Sequence, residues 1–255
     1  MSIQTRIRLM TANFRLAPMP EDIEAGRDWP VRKQPTIDLL KDWHPSVICG
    51  QECSTVIRND LLAALGANWK YVRNGNVIVL FDSNQHTLIS SKTAMLPTAP
   101  GPDGTIDPRR LVLVRLQMKA TGAHWWAAST HFTAGGDPAW RVKQMTAAVG
   151  FIKANGDLTN TILGGDVNSS LVDDPGPRTV ARAAGLFPLR DKLAMAQIRN
   201  GSYDTFNDWL PTLHNGRWID DVFSGTNFAV YYSRLVETLG ASDHNFLIAS
   251  SIALS

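Results

Sequence analysis

The chain is poor in cysteine and has no real excess of charge of either sign. Its 255 residues include two Cys, and 25 Lys and Arg against 23 Asp and Glu leave a formal net charge of +2. A surplus this small neither marks the chain as a nucleic-acid binder nor excludes one, because a local basic groove fits within it. The opening residues, MSIQTRIRLMTANF, lack the apolar run of a secretory signal, and no stretch is long enough to span a bilayer. The expectation is a cytoplasmic protein with no membrane partner. Two cysteines, Cys49 and Cys53, cannot make a disulfide framework. In an extended segment their Cα atoms stand about 13 Å apart, beyond bridging distance. Two reduced thiols are expected, with no neighbouring His or Cys to turn them into a metal site. There is no internal repeat and no low-complexity linker, so residues 1–255 read as one domain with enough chain for a full core, and a monomer is expected.

What is present is a long series of short apolar runs. Arg6–Phe14 reads as a strand ending at Asn13, residues 21–34 as a loop, and Pro35–Trp43 as a helix with proline in its first turn. Val47–Cys49 is a short buried strand running into Gly50-Gln51-Glu52, and Val56–Leu65 is an amphipathic helix closed by Gly66. Asn76–Phe81 is a β-branched strand with Thr87–Leu96 as its expected hairpin partner, followed by a proline-rich exposed loop over 97–110. Leu111–Met118 and His124–Thr130 are neighbouring strands turning at Gly122, and Ala139–Ala154 is the longest helix. Thr161–Leu163 is a strand end, and Thr179–Ala184 is a helix. An irregular stretch to Gly216 precedes three strands, Trp218–Phe223, Tyr231–Thr238 and Phe246–Ser250. Many strands with a few helices in both halves suit two packed sheets flanked by helices.

Polar side chains interrupt these apolar runs at a repeated place, the strand end. Asn13 ends the first strand and Glu52 follows the second, while His131 follows HWWAAST. Asp166 and Asn168 follow TILGG, Asp220 and Asp221 sit inside WIDDVF, and Asp243 and His244 precede Phe246. In an extended chain the spacing of Asp166 and Asn168 puts both on one face, while Asp220 and Asp221 fall on opposite faces. Each has an ordinary reading: Asn13 or Gly-Gly-Asp-x-Asn as a turn, Glu52 as a solvated strand end, each histidine as a hydrogen-bonded structural residue. Six such interruptions together point to a site assembled at one rim of a rigid sheet.

In their order along the chain, TAN (Asn13), GQE (Gln51, Glu52), STH (His131), GGDVN (Asp166, Asn168), WIDDVF (Asp220) and SDH (Asp243, His244) carry a resemblance to a known family. The chain resembles the endonuclease/exonuclease/phosphatase superfamily, which includes DNase I-like nucleases and exonuclease III-like enzymes. Weaker echoes are GNVIVLF at Gly75–Phe81, RVKQ at Arg141–Gln144 and DTF at Asp204–Phe206. The resemblance implies a four-layer α/β sandwich of the DNase I type, two packed mixed sheets flanked by helices. It also implies a divalent metal, Mg²⁺ or Mn²⁺, and hydrolysis of a phosphoester.

By resemblance, Glu52 is the principal metal ligand, Asn13 lies close by, and Asp243 supports the same ion or a second one. His244 contacts the scissile phosphate, oriented by Asp220, while Asp166 positions or deprotonates the attacking water and Asn168 hydrogen-bonds a phosphate oxygen. His131 is a second acid or phosphate contact, and which histidine is base and which acid stays open. Relatives often pair a histidine at the position of His131 with a carboxylate. Here the corresponding stretch is Asn74-Gly75-Asn76, so His131 is expected to be less basic. Asp220 is expected to face inward and Asp221 to be solvated. Arg109 and Arg110 either clamp a phosphate or are a solvated basic pair. Trp209 and Trp218 either stack bases or are buried, and one of Trp125 and Trp126 is core.

The first function expected is a nuclease acting on DNA or RNA, with nucleic acid as partner. The alternative is an enzyme of the same fold acting on a small or lipid phosphoester. RWIDDVF lacks the WCDR-type sequence usual in inositol-phosphate phosphatases, and no exposed apolar hairpin suggests a sphingomyelinase. A catalytically dead binding module predicts decay of the motifs, yet every principal position is filled.

Overall fold

A computed structural model of the chain describes residues 6–98, 106–170, 175–192, 198–199, 205–209 and 217–254. In chain order the elements are β1 (Arg8–Asn13), α1 (Pro20–Glu24), α2 (Trp29–Trp43), β2 (Val47–Gln51), α3 (Thr55–Leu65), β3 (Trp69–Asn74) and β4 (Val77–Asp82). They continue with β5 (His86–Met95), β6 (Arg110–Met118), β7 (His124–His131), α4 (Ala139–Asn155), β8 (Thr161–Asp166) and α5 (Gly176–Ala183). The last are β9 (Phe187–Pro188), α6 (Leu189–Lys192), β10 (Ile198–Arg199), β11 (Asp220–Ser224), β12 (Phe228–Val236) and β13 (Phe246–Leu254).

Strands that read as unbroken apolar runs become the centres of two sheets, because only a strand covered on both faces gains from hydrophobic side chains on both. One sheet has the order β10-β12-β13-β1-β2-β4-β3, the other β5-β6-β7-β8-β11-β9. Both are mixed: β1 and β2 pair in parallel, as do β7 and β8, among antiparallel neighbours. Leu9, Cys49 and Val79 of the first sheet pack against Val112, Ala127, Ile162 and Val222 of the second, forming the inner core. The outer face of the first sheet (Met10, Ile48, Leu80) is covered by Ile37 and Leu40 of α2 and Ile57 and Leu61 of α3. The outer face of the second (Leu113, Ala128, Leu163, Phe223) is covered by Met145 and Ile152 of α4 and Ala181 of α5. Helix, sheet, sheet, helix is the four-layer α/β sandwich expected. Gly164 packs directly against the other sheet; a Cβ there would stand 2.8 Å from Cys49 Cβ, so only glycine fits. Both cysteines are free and buried, and burial pushes each thiol up to about 12, as expected for inert reduced thiols.

Three local expectations are corrected. Residues 21–34 are not a loop: α1 begins at Pro20 and α2 at Trp29. Pro35 therefore sits inside α2, tolerated because Trp29 and Arg32 anchor the first turn in the core while Val31, whose carbonyl Pro35 cannot serve, is 58% exposed. The Thr87–Leu96 segment does not pair with Asn76–Phe81. The β4 strand pairs β2 and β3, and the Ser83–Gln85 turn carries the chain across to the other sheet, where β5 is an edge strand paired to β6. The helix expected at Thr179 starts earlier, at Gly176. The loop expected over 97–110 falls partly outside the described residues, and Arg110 already belongs to β6.

The parallel pairs set the position of the site. Strands β1 and β2 end together at Asn13 and Gln51, and β7 and β8 end together at His131 and Asp166. Antiparallel β11 begins where β8 ends, with Asp220 opposite Asp166. Five chain segments thus deliver their polar ends to one rim of the sandwich.

Candidate active site

At that rim lies a cavity of about 660 Å³ whose walls include Glu52, His131, Asp166, Asn168, Asp243 and His244. Arginines 15, 109, 110, 141 and 217 also line it. Asn13 sits at its floor and links two carboxylates: its Nδ2 donates to Glu52 Oε1 (3.0 Å) and to Asp166 Oδ2 (3.1 Å). Its own Oδ1 accepts the Arg15 N–H at 2.9 Å. Glu52 follows β2 with φ 54°, and its Oε2 accepts the Leu16 N–H at 2.7 Å. Burial alone would raise the Glu52 carboxyl, but His131 and the hydrogen bonds from Asn13 and Leu16 outweigh it and hold the group low. Arg15, Glu52 and Asn168 all adopt positive φ (55°, 54° and 47°) on the cavity wall, the kind of local strain that collects at functional sites.

Two histidines flank Asp166. His131 Nε2 lies 3.5 Å from Asp166 Oδ2 and 4.0 Å from Glu52 Oε1. Burial lowers its pKa to about 4, with the Glu52 charge opposing and Arg109 adding to the fall. A weakly basic His131 is expected from the sequence for want of a carboxylate; two carboxylates do stand beside it, and burial is what lowers it. His244 is the opposite case. Burial works against its charge, but the Asp220 carboxylate, 2.8 Å from its Nδ1, raises it to about 10. Its Nε2 points to Asp166 Oδ2 at 3.8 Å. Asp166 itself is pushed up to about 7, first by burial and then by the nearby Asp220 charge.

The residues singled out in the sequence meet here, with two differences. Asn168 is not the next inward residue of an extended strand. Its backbone is left-handed, its N–H donates to Asp166 Oδ1 at 2.9 Å, and its Nδ2 donates to Phe132 O at 3.0 Å. Asp221 is not solvated: it is fully buried and ion-paired to Arg178 at 2.8 Å, because its face of β11 is covered by α5. Of the two readings open for Trp218 the structure gives burial: it is 1% exposed and cannot stack a base. Trp209 is half-buried, with the guanidinium groups of Arg27 and Arg32 over its ring. Trp125 is core, as expected of one of that pair.

Asp243 leans towards Arg15, 3.6 Å away, and Arg15 is tied in turn to Glu21 and Asp22. Burial raises the Asp243 carboxyl, against the His244 and Arg15 charges. Arg109 is ion-paired to Asp107 at 2.9 Å, and Arg110 lies across Gly75, where any Cβ would collide with its guanidinium. Both line the cavity and neither is a freely solvated pair.

Sequence reading missed the residues that hold these groups in place. Thr205 Oγ1 accepts the N–H groups of Ile219 (2.8 Å) and Asp220 (2.9 Å), and Phe206 meets the His244 ring edge-to-face at 5.1 Å. DTF was a visible signal for both, although Asp204 lies outside the described residues. Buried Arg32 donates to the carbonyls of Phe14, Arg15, Arg27 and Ala241, joining the segment after Asn13 to the one before Asp243. No local pattern announces such a residue.

Glu52 and Asp243 supply carboxylate oxygens, the donors that a hard cation such as Mg²⁺ prefers, while Asn13 turns its Nδ2 to Glu52 and its Oδ1 to the Arg15 N–H and so stands beside such an ion rather than on it. Each Glu52 oxygen accepts one hydrogen bond, which leaves further acceptor capacity on a side chain that lines the cavity and is 23% exposed. Asp166, Asp220 and His244 also have ligand atoms within 4.8 Å of one another. There, however, His244 Nδ1 is committed to Asp220 at 2.8 Å. The Glu52 side of the cavity is therefore the better fit for an ion. Among the described residues no helix is long and apolar enough to cross a membrane.

The family model described as Endonuclease/Exonuclease/phosphatase family matches residues 10–244. A search of curated proteins finds no match. Among solved structures, an endonuclease/exonuclease/phosphatase from Bacteroides vulgatus superposes with a TM-score of 0.84 at 20% identity, covering 98% of this chain and 100% of that one. A mannosyl-6-phosphatase of Bacteroides thetaiotaomicron gives 0.81 at 18% identity, covering 95% and 98%. The human Nocturnin catalytic domain with bound sulfate gives 0.74 at 19% identity, covering 97% and 95%. At these identities the likeness is one of fold.

Proposed function

The chain belongs to the endonuclease/exonuclease/phosphatase family, whose members are hydrolases acting on phosphoesters, and from that premise we propose that it is a divalent-metal-dependent phosphoesterase acting on a small phosphoester. The observation that carries the substrate class is the cavity. At about 660 Å³ it has the size of a small-molecule site, whereas a duplex asks for a long open basic groove. Residues 1–255 are read as one domain serving this site.

Glu52, with Asn13 beside it and Asp243 across the cavity, is the proposed holder of Mg²⁺ or Mn²⁺. Such an ion, when bound, neutralises charge on the phosphoryl oxygens and on the leaving oxygen. The remaining roles belong to the protein. Asp166, with a carboxyl raised to about 7, accepts the proton of the attacking water; a base poised near neutral pH is matched to that task. Asn13 and the Asn168 N–H each bond Asp166 and fix its orientation. His244, kept as an imidazolium by Asp220, offers Nε2–H to a phosphoryl oxygen, where a preformed donor stabilises the charge that develops. Neutral His131, on the other side of Asp166, donates a second hydrogen bond. Arg109 and Arg110 bind the non-reacting part of the substrate.

A second reading, hydrolysis of single-stranded nucleic acid, draws support from one feature, the guanidinium of Arg217 over the Phe206 ring at 4.7 Å. That is a surface on which a base can stack. The test is a panel of a sugar phosphate, a nucleotide, single-stranded RNA, supercoiled plasmid and bis-p-nitrophenyl phosphate, with Mg²⁺, Mn²⁺ or EDTA. Metal-dependent turnover of the small phosphates with the polymers intact supports the first reading. Cleavage of RNA or plasmid alone moves the assignment to a nuclease, and no turnover of anything in the panel removes both.

A further inference from the structure

Arg178 falls in none of the strand-end motifs read from the sequence and is not in the cavity lining; it lies on α5, yet it is 1% exposed and makes three hydrogen bonds. Its Nε donates to Asp221 Oδ2 at 2.8 Å, its Nη1 to Ser169 O at 2.6 Å and its Nη2 to Trp218 O at 3.2 Å. Ser169 directly follows Asn168, while Trp218 and Asp221 stand on either side of Asp220. One planar fork therefore grips both walls of the site. We propose that Arg178 is a positioning residue, and that with Asp221 it fixes the turn carrying Asp166 and Asn168 against the strand carrying Asp220. This inference rests on the catalytic reading above.

The need for such a clamp follows from where the sheet ends. The ladder between β8 and β11 stops at the pair Asp166 and Asp220, and one further backbone bond, Val167 N–H to Ile219 O at 3.0 Å, continues it. Beyond that the chain turns away through the left-handed Asn168, and among the described residues the ladder goes no further. The Arg178 to Ser169 bond replaces the missing ladder. On the other side, Asp221 accepts both Arg178 Nε–H and the Val222 N–H (2.9 Å), which locks the rotation of β11 about its axis. Alternation then fixes Asp220 facing the cavity, at the distance where its Oδ2 meets His244 Nδ1.

Stability alone does not account for the pair. Burying two charges costs most of what their attraction returns, and apolar residues of similar volume often replace such pairs without loss of fold. What apolar residues cannot supply is a rigid three-way hydrogen-bonded spacing, and a guanidinium is the side chain whose fixed fork does so. Asp221 faces α5 and touches no part of the cavity, so its effect on chemistry runs through Asp220 and Ser169.

The test uses the apolar double variant Arg178→Met/Asp221→Leu together with Arg178→Lys, which keeps the charge and loses the fork. The thermal midpoint, kcat and KM on bis-p-nitrophenyl phosphate, and the proton resonance of His244 Nδ1 are measured for each. The expected result is a folded double variant with a midpoint near that of the parent, kcat lower by roughly 10²-fold as for a small misplacement of reacting groups, KM little changed, and a displaced Nδ1 resonance. Arg178→Lys is expected to show the same loss of kcat and the same displacement. A folded double variant with the parent kcat overturns the proposal. Should the double variant not fold, Arg178→Lys decides in the same way. Should the parent itself hydrolyse nothing, the catalytic reading fails on its own, and an unmoved Nδ1 resonance in Arg178→Lys still overturns the positioning role.

Discussion

His244 Nδ1 lies 2.8 Å from Asp220 Oδ2, with the two side chains 6% and 2% exposed. A carboxylate at that distance fixes which ring nitrogen carries the proton facing it and favours the charged imidazole. Thr205 bonds the Asp220 backbone from one side, and Phe206 packs on the imidazole from the other. The dyad is thus held from several directions, and its free end, Nε2, faces Asp166.

Asp220→Asn keeps the shape of the dyad and removes its charge. The expected outcome is a folded protein in which the His244 pKa drops well below about 10 and kcat falls by about 10²- to 10⁴-fold, the range for loss of an orienting carboxylate. NMR titration of His244 beside steady-state kinetics checks it, and an unchanged His244 titration contradicts the assignment of the shift to Asp220.

Glu52→Gln retains an oxygen to accept the Leu16 N–H or the Asn13 amide and loses the negative charge. Weaker binding of Mn²⁺ by about 10-fold or more is expected, with the thermal midpoint in EDTA unchanged. Calorimetric titration of Mn²⁺ into both proteins reads this directly. Equal affinity in the two would move the ion to the Asp166, Asp220 and His244 group.

Much of this site was legible because its chemistry stands at strand ends. Asn13, Glu52, His131 and Asp166 each terminate or follow an apolar run, and parallel pairing brings such ends together whatever the details of the loops. Contacts between distant segments left no trace. Arg178 is 43 residues from Asp221, and a charge at alternating spacing reads as solvated until the covering helix is known. The β5 pairing failed for a related reason: a hairpin is the default for adjacent strands, and nothing in Ser83-Asn84-Gln85 says that the chain crosses to the other sheet. The start of α2 was hidden because Pro35 reads as a beginning, while the burial of Trp29 and Arg32 that extends the helix is tertiary.

His86 titrates away from the site. It is 1% exposed, neither ring nitrogen has a hydrogen-bond partner among the described residues, and burial lowers its pKa from 6.5 to about 4. The unfolded chain therefore binds more protons between pH 6.5 and about 4, and stability falls as pH falls through that window. The contribution amounts to on the order of 3 kcal/mol. In His86→Phe this part of the slope disappears, so the variant gains on the parent as pH drops from 7 to 4. Urea unfolding across that range measures the difference, and parallel curves for the two proteins contradict it.

Arg32→Met leaves the carbonyls of Phe14, Arg15, Arg27 and Ala241 without their shared donor. Unsatisfied buried acceptors cost about 1–3 kcal/mol each when water cannot reach them, so a loss of several kcal/mol in stability is expected, with activity falling in parallel through Asn13 and Asp243. Denaturant unfolding with parent-like stability would contradict the role given to Arg32.

The central claim is that this rim hydrolyses phosphoesters with a metal ion. It is tested most directly by following p-nitrophenol release from p-nitrophenyl phosphate and its bis-ester in Mn²⁺, for the parent and for His244→Ala and Asp166→Ala with folding checked by circular dichroism. The account predicts EDTA-sensitive turnover in the parent and a loss of about 10²-fold or more in each folded variant. Turnover that survives in both variants, or a parent that hydrolyses neither ester with any divalent ion, would contradict it.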